Sequence, residues 1–305
     1  MKKIVFLFLL LTIVLIGYSF FINPADFFSN IINTLEIWLY KVYPSIFTFY
    51  ILASLLVNTK LINVLIYLLR PIFRYLRFSN ENALHLFIIS IFVGNPSSAS
   101  LICEALKKND LTKKEANDLL KYSAFLNPFF IISFLLGYNI KYAILIITVH
   151  ILSNFIIVFI LNRKNPKTEI NTSKISFSIP EVLSSIQNVI YLLLLISGIM
   201  VFCNILKFSL NTALSSFSLD NKIFDIILAN IEVALGLNTL VNIGFTPFIT
   251  LLLFSFISSF AGISIHLQVF SVIKEEELNY KGFLEFRFIQ AILSVMLFIF
   301  LWLII

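Results

Sequence analysis

The chain has 305 residues, 59% hydrophobic and only 12% charged, with a formal net charge of +6. A soluble domain carries about 25% charged residues, so this composition excludes an ordinary water-soluble fold and predicts a polytopic membrane protein. The basic residues lie between apolar stretches rather than in one patch, which argues against a nucleic-acid partner and makes them topology signals.

Lys2 and Lys3 precede an apolar run from Ile4 to Ile22. A membrane span needs about 20 residues, and a signal-peptide core is usually about 7–15. The run is long and Gly17-Tyr18-Ser19-Phe20-Phe21 offers no small-x-small cleavage site. An uncleaved anchor over residues 1–23, with the N-terminus cytoplasmic, is expected. Asn23 to Tyr43 carries Asp26, Glu36, Trp38, Tyr40 and Lys41 and reads as an interfacial segment. Pro44 to Asn58 reads as a short span. Leu61 to Phe78, with Arg70, Arg74 and Arg77 on one helix face and Pro71 breaking the run, reads as a surface amphipathic helix.

Ala83 to Leu106 is apolar at both ends and polar in the middle, Gly94-Asn95-Pro96-Ser97-Ser98-Ala99-Ser100. It is either one kinked span or a re-entrant hairpin whose arms, about 11 residues each, reach half the bilayer. Basic residues flank it on both sides: Arg70, Arg74 and Arg77 before, Lys107, Lys108, Lys113, Lys114 and Lys121 after. Only the hairpin keeps them together on the cytoplasmic side, as the positive-inside rule prefers. Tyr122–Gly137 and Tyr142–Leu161 follow as spans. Residues 163–180 read as a cytoplasmic linker between halves. Val182–Leu206 is a span, and Ile223–Val241 an apolar stretch holding Asp225, Asn230 and Glu232. Pro247–Ile273 has a weak centre near Gly262 that reads as a second hairpin, and Gly282–Ile305 is the last span.

Leu86–Ala116 and Leu253–Phe283 share a pattern of apolar arm, small-residue centre, apolar arm and charged link, with Gly94 matched to Gly262. Basic residues border the first copy and Lys274-Glu275-Glu276-Glu277 the second, so counting spans places them on opposite sides of the membrane. The expected fold is therefore an all-α membrane protein with about six transmembrane helices and two opposed re-entrant hairpins in an inverted repeat. Residues 24–162 form the first repeat and 181–305 the second. Broken helices meeting at midplane in inverted repeats are a transporter architecture.

Irregular backbone at membrane depth survives only where it is buried in protein or lines a wet cavity. The two tips are thus the first candidates for a site. At the first, Gly94, Asn95, Ser97 and Ser98 surround a helix N-terminus that favours an anion. At the second stand Gly262, Ser264, His266 and Gln268. Each serine serves equally as a helix cap or packing residue. Asn127-Pro128 is a kink or a ligand. His150 and Asn154 share a helix face and are structural or functional. Glu232 is the sharpest single residue, because an ionisable group in such a segment is costly; Asp225 lies seven residues earlier on the same face. The two cysteines, Cys103 and Cys203, form neither a disulfide framework nor a metal site. No zinc-protease, nucleophile-elbow or phosphate-loop motif occurs, so no enzyme activity, cofactor or metal is expected.

Three segments in order, Gly94-Asn95-Pro96-Ser97-Ser98-Ala99, Asp110-Leu111-Thr112-Lys113-Lys114-Glu115-Ala116 and Asn127-Pro128-Phe129-Phe130, resemble the nucleoside recognition (Gate) domain. The version is that of the YlbJ-type sporulation integral membrane proteins. Ile231-Glu232 with Gly236, and Phe260-Ala261-Gly262-Ile263-Ser264-Ile265-His266-Leu267-Gln268, agree with it. The likeness covers roughly Pro44 to the C-terminus and extends to parts of concentrative nucleoside transporters and of the ferrous iron transport protein B. It implies a bacterial multi-pass cell-membrane protein with a transporter-like fold, acting in endospore formation on a small metabolite, with dipicolinate as a candidate. The nucleoside transporters carry an acidic residue at the first tip. This tip has none, which suits a dicarboxylate better than a nucleoside. The expected partners are the small-molecule substrate and the bilayer, with a homo-oligomer left open. A non-transporting membrane protein of spore envelope assembly and a nucleoside transporter are the alternatives.

Overall fold

A computed structural model describes residues 2–59, 61–68, 73–165, 179–216 and 222–304. All regular structure among them is helical. Helix α1 spans Lys2–Ile22. Helix α2 (Pro24–Ile37) passes through a π turn at Trp38–Val42 into α3 (Tyr43–Asn58), so the expected interfacial segment and short span are one long rod. The rod is held by packing on α10 (Ile179–Ser216), against which Asn30 and Thr34 accept from Asn204, and Ser54 bonds Ser185. Ser19 of α1 meets Ser209 of the same helix at 2.7 Å. Polar side chains at these helix contacts find partners they would lack in lipid.

Of the expected amphipathic helix, the described residues form α4 (Ile62–Leu68) and a 3-10 turn at Arg74–Leu76, while Arg70 and Pro71 lie outside the described residues. Helices α5 (Glu81–Val93) and α6 (Ser97–Lys107) pack on each other about Gly94-Asn95-Pro96. Asn80 caps α5 by accepting from the Ala83 N–H. Thr112 and Glu115 form a reciprocal capping box that starts α7 (Lys113–Tyr122).

The expected span Tyr122–Gly137 is broken. Helix α7 stops at Tyr122, residues 123–127 are unwound, and α8 runs Pro128–Leu135. Proline at the first helical position and Asn127 as its cap set that restart. Helix α9 is Ile140–Asn162. Residues 166–178 of the expected linker lie outside the described residues. The apolar stretch after residue 222 is likewise broken, into α11 (Lys222–Ala229) and α12 (Val233–Asn242), which pack on each other about Asn230-Ile231-Glu232. Gly236 makes that approach feasible, since a Cβ there would lie 2.1 Å from the Ala229 carbonyl oxygen.

The second hairpin expected near Gly262 is not one. Helices α13 (Pro247–Phe260) and α14 (Gly262–Ile273) run on through a bend at Ala261, within one apolar stretch from Pro247 to Glu276 that is long enough to cross a membrane. Helix α13 packs on α12 and α15 (Tyr280–Trp302), and α14 on α10 and α6. The charged links do not lie on opposite sides either. Lys107 Nζ is 3.3 Å from Glu276 Oε1, and Lys113 Nζ is 3.2 Å from Glu277 Oε2. Charge counting failed there because the acidic run faces the lysines and neutralises them locally. Trp302 packs on Tyr142 and Phe248 at the other end of the molecule.

Among the described residues, five helical stretches are long and apolar enough to cross a membrane: Pro24–Val57, Ile140–Asn162, Val182–Ser215, Pro247–Glu276 and Tyr280–Trp302. Contacts recur between the halves. The pair α5–α6 is matched by α11–α12, α6–α7 by α12–α13, α7–α15 by α13–α9, and α6–α14 by α12–α8. Helices α3 and α10 pack together, as do α9 and α15.

Candidate functional site

Two backbone junctions form the centre of the fold. In the first, Gly94 has φ +66°, and a Cβ there would sit 2.5 Å from the Asn127 nitrogen. The turn between α5 and α6 thus presses on the unwound residues 123–127, and the Asn95 N–H donates to the Phe125 carbonyl over 2.7 Å. Buried backbone groups at such a break need partners. The Leu126 N–H donates to His150 Nε2 at 2.8 Å. The carbonyls of Lys121 and Ala124, at the end of α7, accept from Arg287 of α15.

In the second junction the Ile263 N–H donates to the Asn230 carbonyl over 2.7 Å, and the Ser264 N–H to the Ile231 carbonyl over 3.0 Å. Ala261 is left-handed at φ +75°, and a Cβ on Gly262 would lie 2.8 Å from the Asn230 oxygen. Glu232 caps α12, its Oε2 accepting from the Leu235 N–H at 2.7 Å. Ser264 Oγ accepts from the Val233 N–H and donates to Glu232 Oε1 at 3.5 Å.

A cavity of about 40 Å³ lies between the junctions. One half lines it with Ser45, Asn95, Pro96, Asn127 and Phe130, and the other with Glu232, Val233, Ile265 and Gln268. Ile196 and Met200 of α10 form an apolar wall. The Asn95 Oδ1 accepts from Ser98 Oγ, and the Asn127 Oδ1 from the Phe129 N–H. Their Nδ2 atoms are buried without partners, as is Ser97 Oγ. A buried donor without an acceptor costs roughly 1–3 kcal/mol, so this cavity is built with unused donors.

The structure therefore brings Asn95, Asn127, Glu232 and Gln268 to one cavity, with Gly94, Gly262, Ser98 and Ser264 shaping or holding its lining. It does not bring His150 there. His150 bonds Leu126 through Nε2 and Ser259 through Nδ1, and its face partner Asn154 accepts from Arg287. His266 turns away to the Phe260 carbonyl and the Tyr280 hydroxyl. Asp225 and Glu232 do not share a helix face, because the helix ends between them. Sequence reasoning passed over Arg287, which is fully buried and serves as the C-terminal cap of α7. The signal was a lone cation deep in the last apolar helix.

Apolar helices of spanning length, exposed apolar side chains such as Phe6, Phe159, Tyr191 and Phe300, and a buried polar junction define a multi-pass, all-helical membrane protein. The chain is 22% identical over 324 residues to the sporulation integral membrane protein YlbJ of Bacillus subtilis, across 92% of this chain and 78% of that protein. No protein-family model matches the chain, so the nucleoside recognition domain read from its motifs has no such support. No solved structure matches it.

Proposed function

We propose that this chain is a membrane transporter for a small anionic metabolite, acting in sporulation, with dipicolinate as the candidate substrate. One observation carries the reading: the amide donors of Asn95 and Asn127 are buried, unpartnered and set on one cavity at the middle of the fold. The N-termini of α6 and α8 point their positive dipole ends at the same place. Unused donors and helix N-termini suit carboxylate oxygens.

In this reading α5–α6 and α11–α12 are the two re-entrant hairpins, entering from opposite sides, and α7–α8 and α13–α14 are broken spans. The inverted repeat then pairs the tip at Gly94-Asn95-Pro96 with the tip at Asn230-Ile231-Glu232, rather than Gly94 with Gly262. The recurring contacts between halves support this register. The N-terminus is cytoplasmic, on the side of the basic loops. At about 40 Å³ the cavity holds at most a few waters, so binding requires the apolar wall of Ile196 and Met200 to move. The sporulation role rests on the Bacillus subtilis relative's name.

Proteoliposomes holding the purified chain test the proposal. Saturable uptake of dipicolinate, lost in Asn95→Ala and Asn127→Ala at equal insertion, is expected. Uptake of no dicarboxylate under any ion gradient refutes it and favours a non-transporting role in spore envelope assembly. Saturable uridine uptake instead would make it a nucleoside carrier.

A further inference from the structure

Glu232 is the ionisable side chain on the central cavity. It is 2% exposed and has no ion-pair partner among the described residues. A carboxylate without an ion-pair partner beside a site built for anions needs a reason.

Its surroundings supply one. From α10, Lys207 and Cys203 interact with Glu232 electrostatically, and Lys207 interacts with Asp225 of α11 as well. Helix α14 presents Ser264, its His266 being turned elsewhere. Helices α8 and α13 contain no ionisable residue. Lys207 and Asp225 line a second cavity, of about 340 Å³, with Asn204, Asn211, Asn238 and Thr239. This one is polar and large enough for water. A single turn of α12 separates the two cavities. Glu232 faces the small one and holds the N–H of Leu235, which borders the large one.

We propose that Glu232 takes up a proton together with the anion, so that the protein is a proton–anion symporter, with Asp225 and Lys207 in the polar cavity forming the proton's route. This rests on the transport reading above. A negative ligand next to a negative carboxylate in a low-dielectric cavity repels it, and by linkage its binding draws a proton onto that carboxylate. The proton comes from water in the polar cavity. Hydronium there gives up its proton: one of its O–H bonds breaks, leaving water, as an O–H bond forms on a carboxylate oxygen of Glu232 to give the neutral acid. The acid's O–H can donate to the ligand's carboxylate. On the opposite side anion and proton both leave to water, and the carboxylate is restored.

Calorimetric titration of the full chain in nanodiscs with pyridine-2,6-dicarboxylate, in two buffers of different ionisation enthalpy, tests this. The expected result is uptake of about one proton per anion bound. Glu232→Gln, which keeps an oxygen for the Leu235 N–H, is expected to bind the anion with no proton uptake. Asp225→Asn is expected to keep the bound proton but slow uptake driven by a pH gradient. Anion binding with equal enthalpies in both buffers overturns the coupling and leaves transport standing, as does proton uptake that survives in Glu232→Gln. No dicarboxylate binding by the wild-type chain overturns the transport reading itself.

Discussion

The backbone N–H of Asn95 donates to the carbonyl of Phe125 over 2.7 Å, tying the turn between two packed helices to the unwound stretch of a third. A second bond of the same length, from Ile263 to Asn230, does the same in the other half. Each break in a helix is thus satisfied by a turn.

Gly94 has no room for a side chain. Its φ is +66°, and an added Cβ would meet the Asn127 nitrogen at 2.5 Å. Backbone strain of this kind costs roughly 1–3 kcal/mol before any clash is counted. Gly94→Ala should lower the melting temperature in detergent clearly, and Gly236→Ala should too, its Cβ meeting the Ala229 oxygen at 2.1 Å. Gly137→Ala, with nothing within 4 Å, should change it little. A Gly94→Ala protein that melts with the wild type would show the junction to be loose.

Arg287 is buried in the last helix and spends its guanidinium on the carbonyls of Lys121 and Ala124 and on Asn154 and Gln290. Arg287→Met removes those donors and leaves two backbone acceptors without partners, at roughly 1–3 kcal/mol each. The variant should insert but melt early, and a cysteine at Ser123 should become reactive to a membrane-permeant thiol reagent. Unchanged melting would mean that water or a neighbour replaces the arginine.

Glu115 lies at the charged start of α7, outside the apolar spans. Partial burial acts to raise its pKa, but hydrogen bonds from Ser79, Thr112 and Asn80 outweigh it and hold the carboxyl below its ordinary value. A carboxyl with a depressed folded pKa stabilises above its unfolded pKa, about 4.3 for Glu, and the contribution is lost as pH falls through the folded value. Thermal stability should therefore decline below about pH 4–5. Glu115→Gln should flatten this decline, and an identical acid profile in that variant would remove Glu115 as its cause.

The contacts Lys107–Glu276 and Lys113–Glu277 place two loops at one end of the molecule. Single cysteines at Lys113 and Glu277 should label from the same side of the membrane, and the double variant should crosslink. A cysteine at Asn242 should label from the opposite side. Labelling of Lys113 and Glu277 from opposite sides would refute the arrangement.

Much of the molecule was legible in its sequence. The long apolar runs carry the spans at Ile140–Asn162 and Tyr280–Trp302, and Gly94-Asn95-Pro96 carries the first turn, because glycine and proline act locally. Asn127-Pro128 reads as a kink or a ligand within a span, and the structure makes it the start of α8. Other features depend on partners far away in the chain. Ile223–Val241 looked continuous because Asn230 and Glu232 break the helix only when a partner strand of backbone, at Ile263 and Ser264, takes up the freed carbonyls. The acidic run after Lys274 looked like an external flank, whereas Glu276 and Glu277 are neutralised by lysines from a distant loop.

The sequence by itself determined that this chain lives in the bilayer, since no fold can hide so much apolar surface from water, and it marked breaks at Gly94-Asn95-Pro96, at Asn127-Pro128 and near Gly262. Which break meets which turn was decided only by the tertiary structure. Backbone groups freed within a span must find partners across the fold, and hydropathy is blind to such partners. That pairing set Asn95 and Asn127 opposite Glu232 and Gln268 around one cavity, and it took His150 out of the site by giving its ring nitrogens to Leu126 and Ser259.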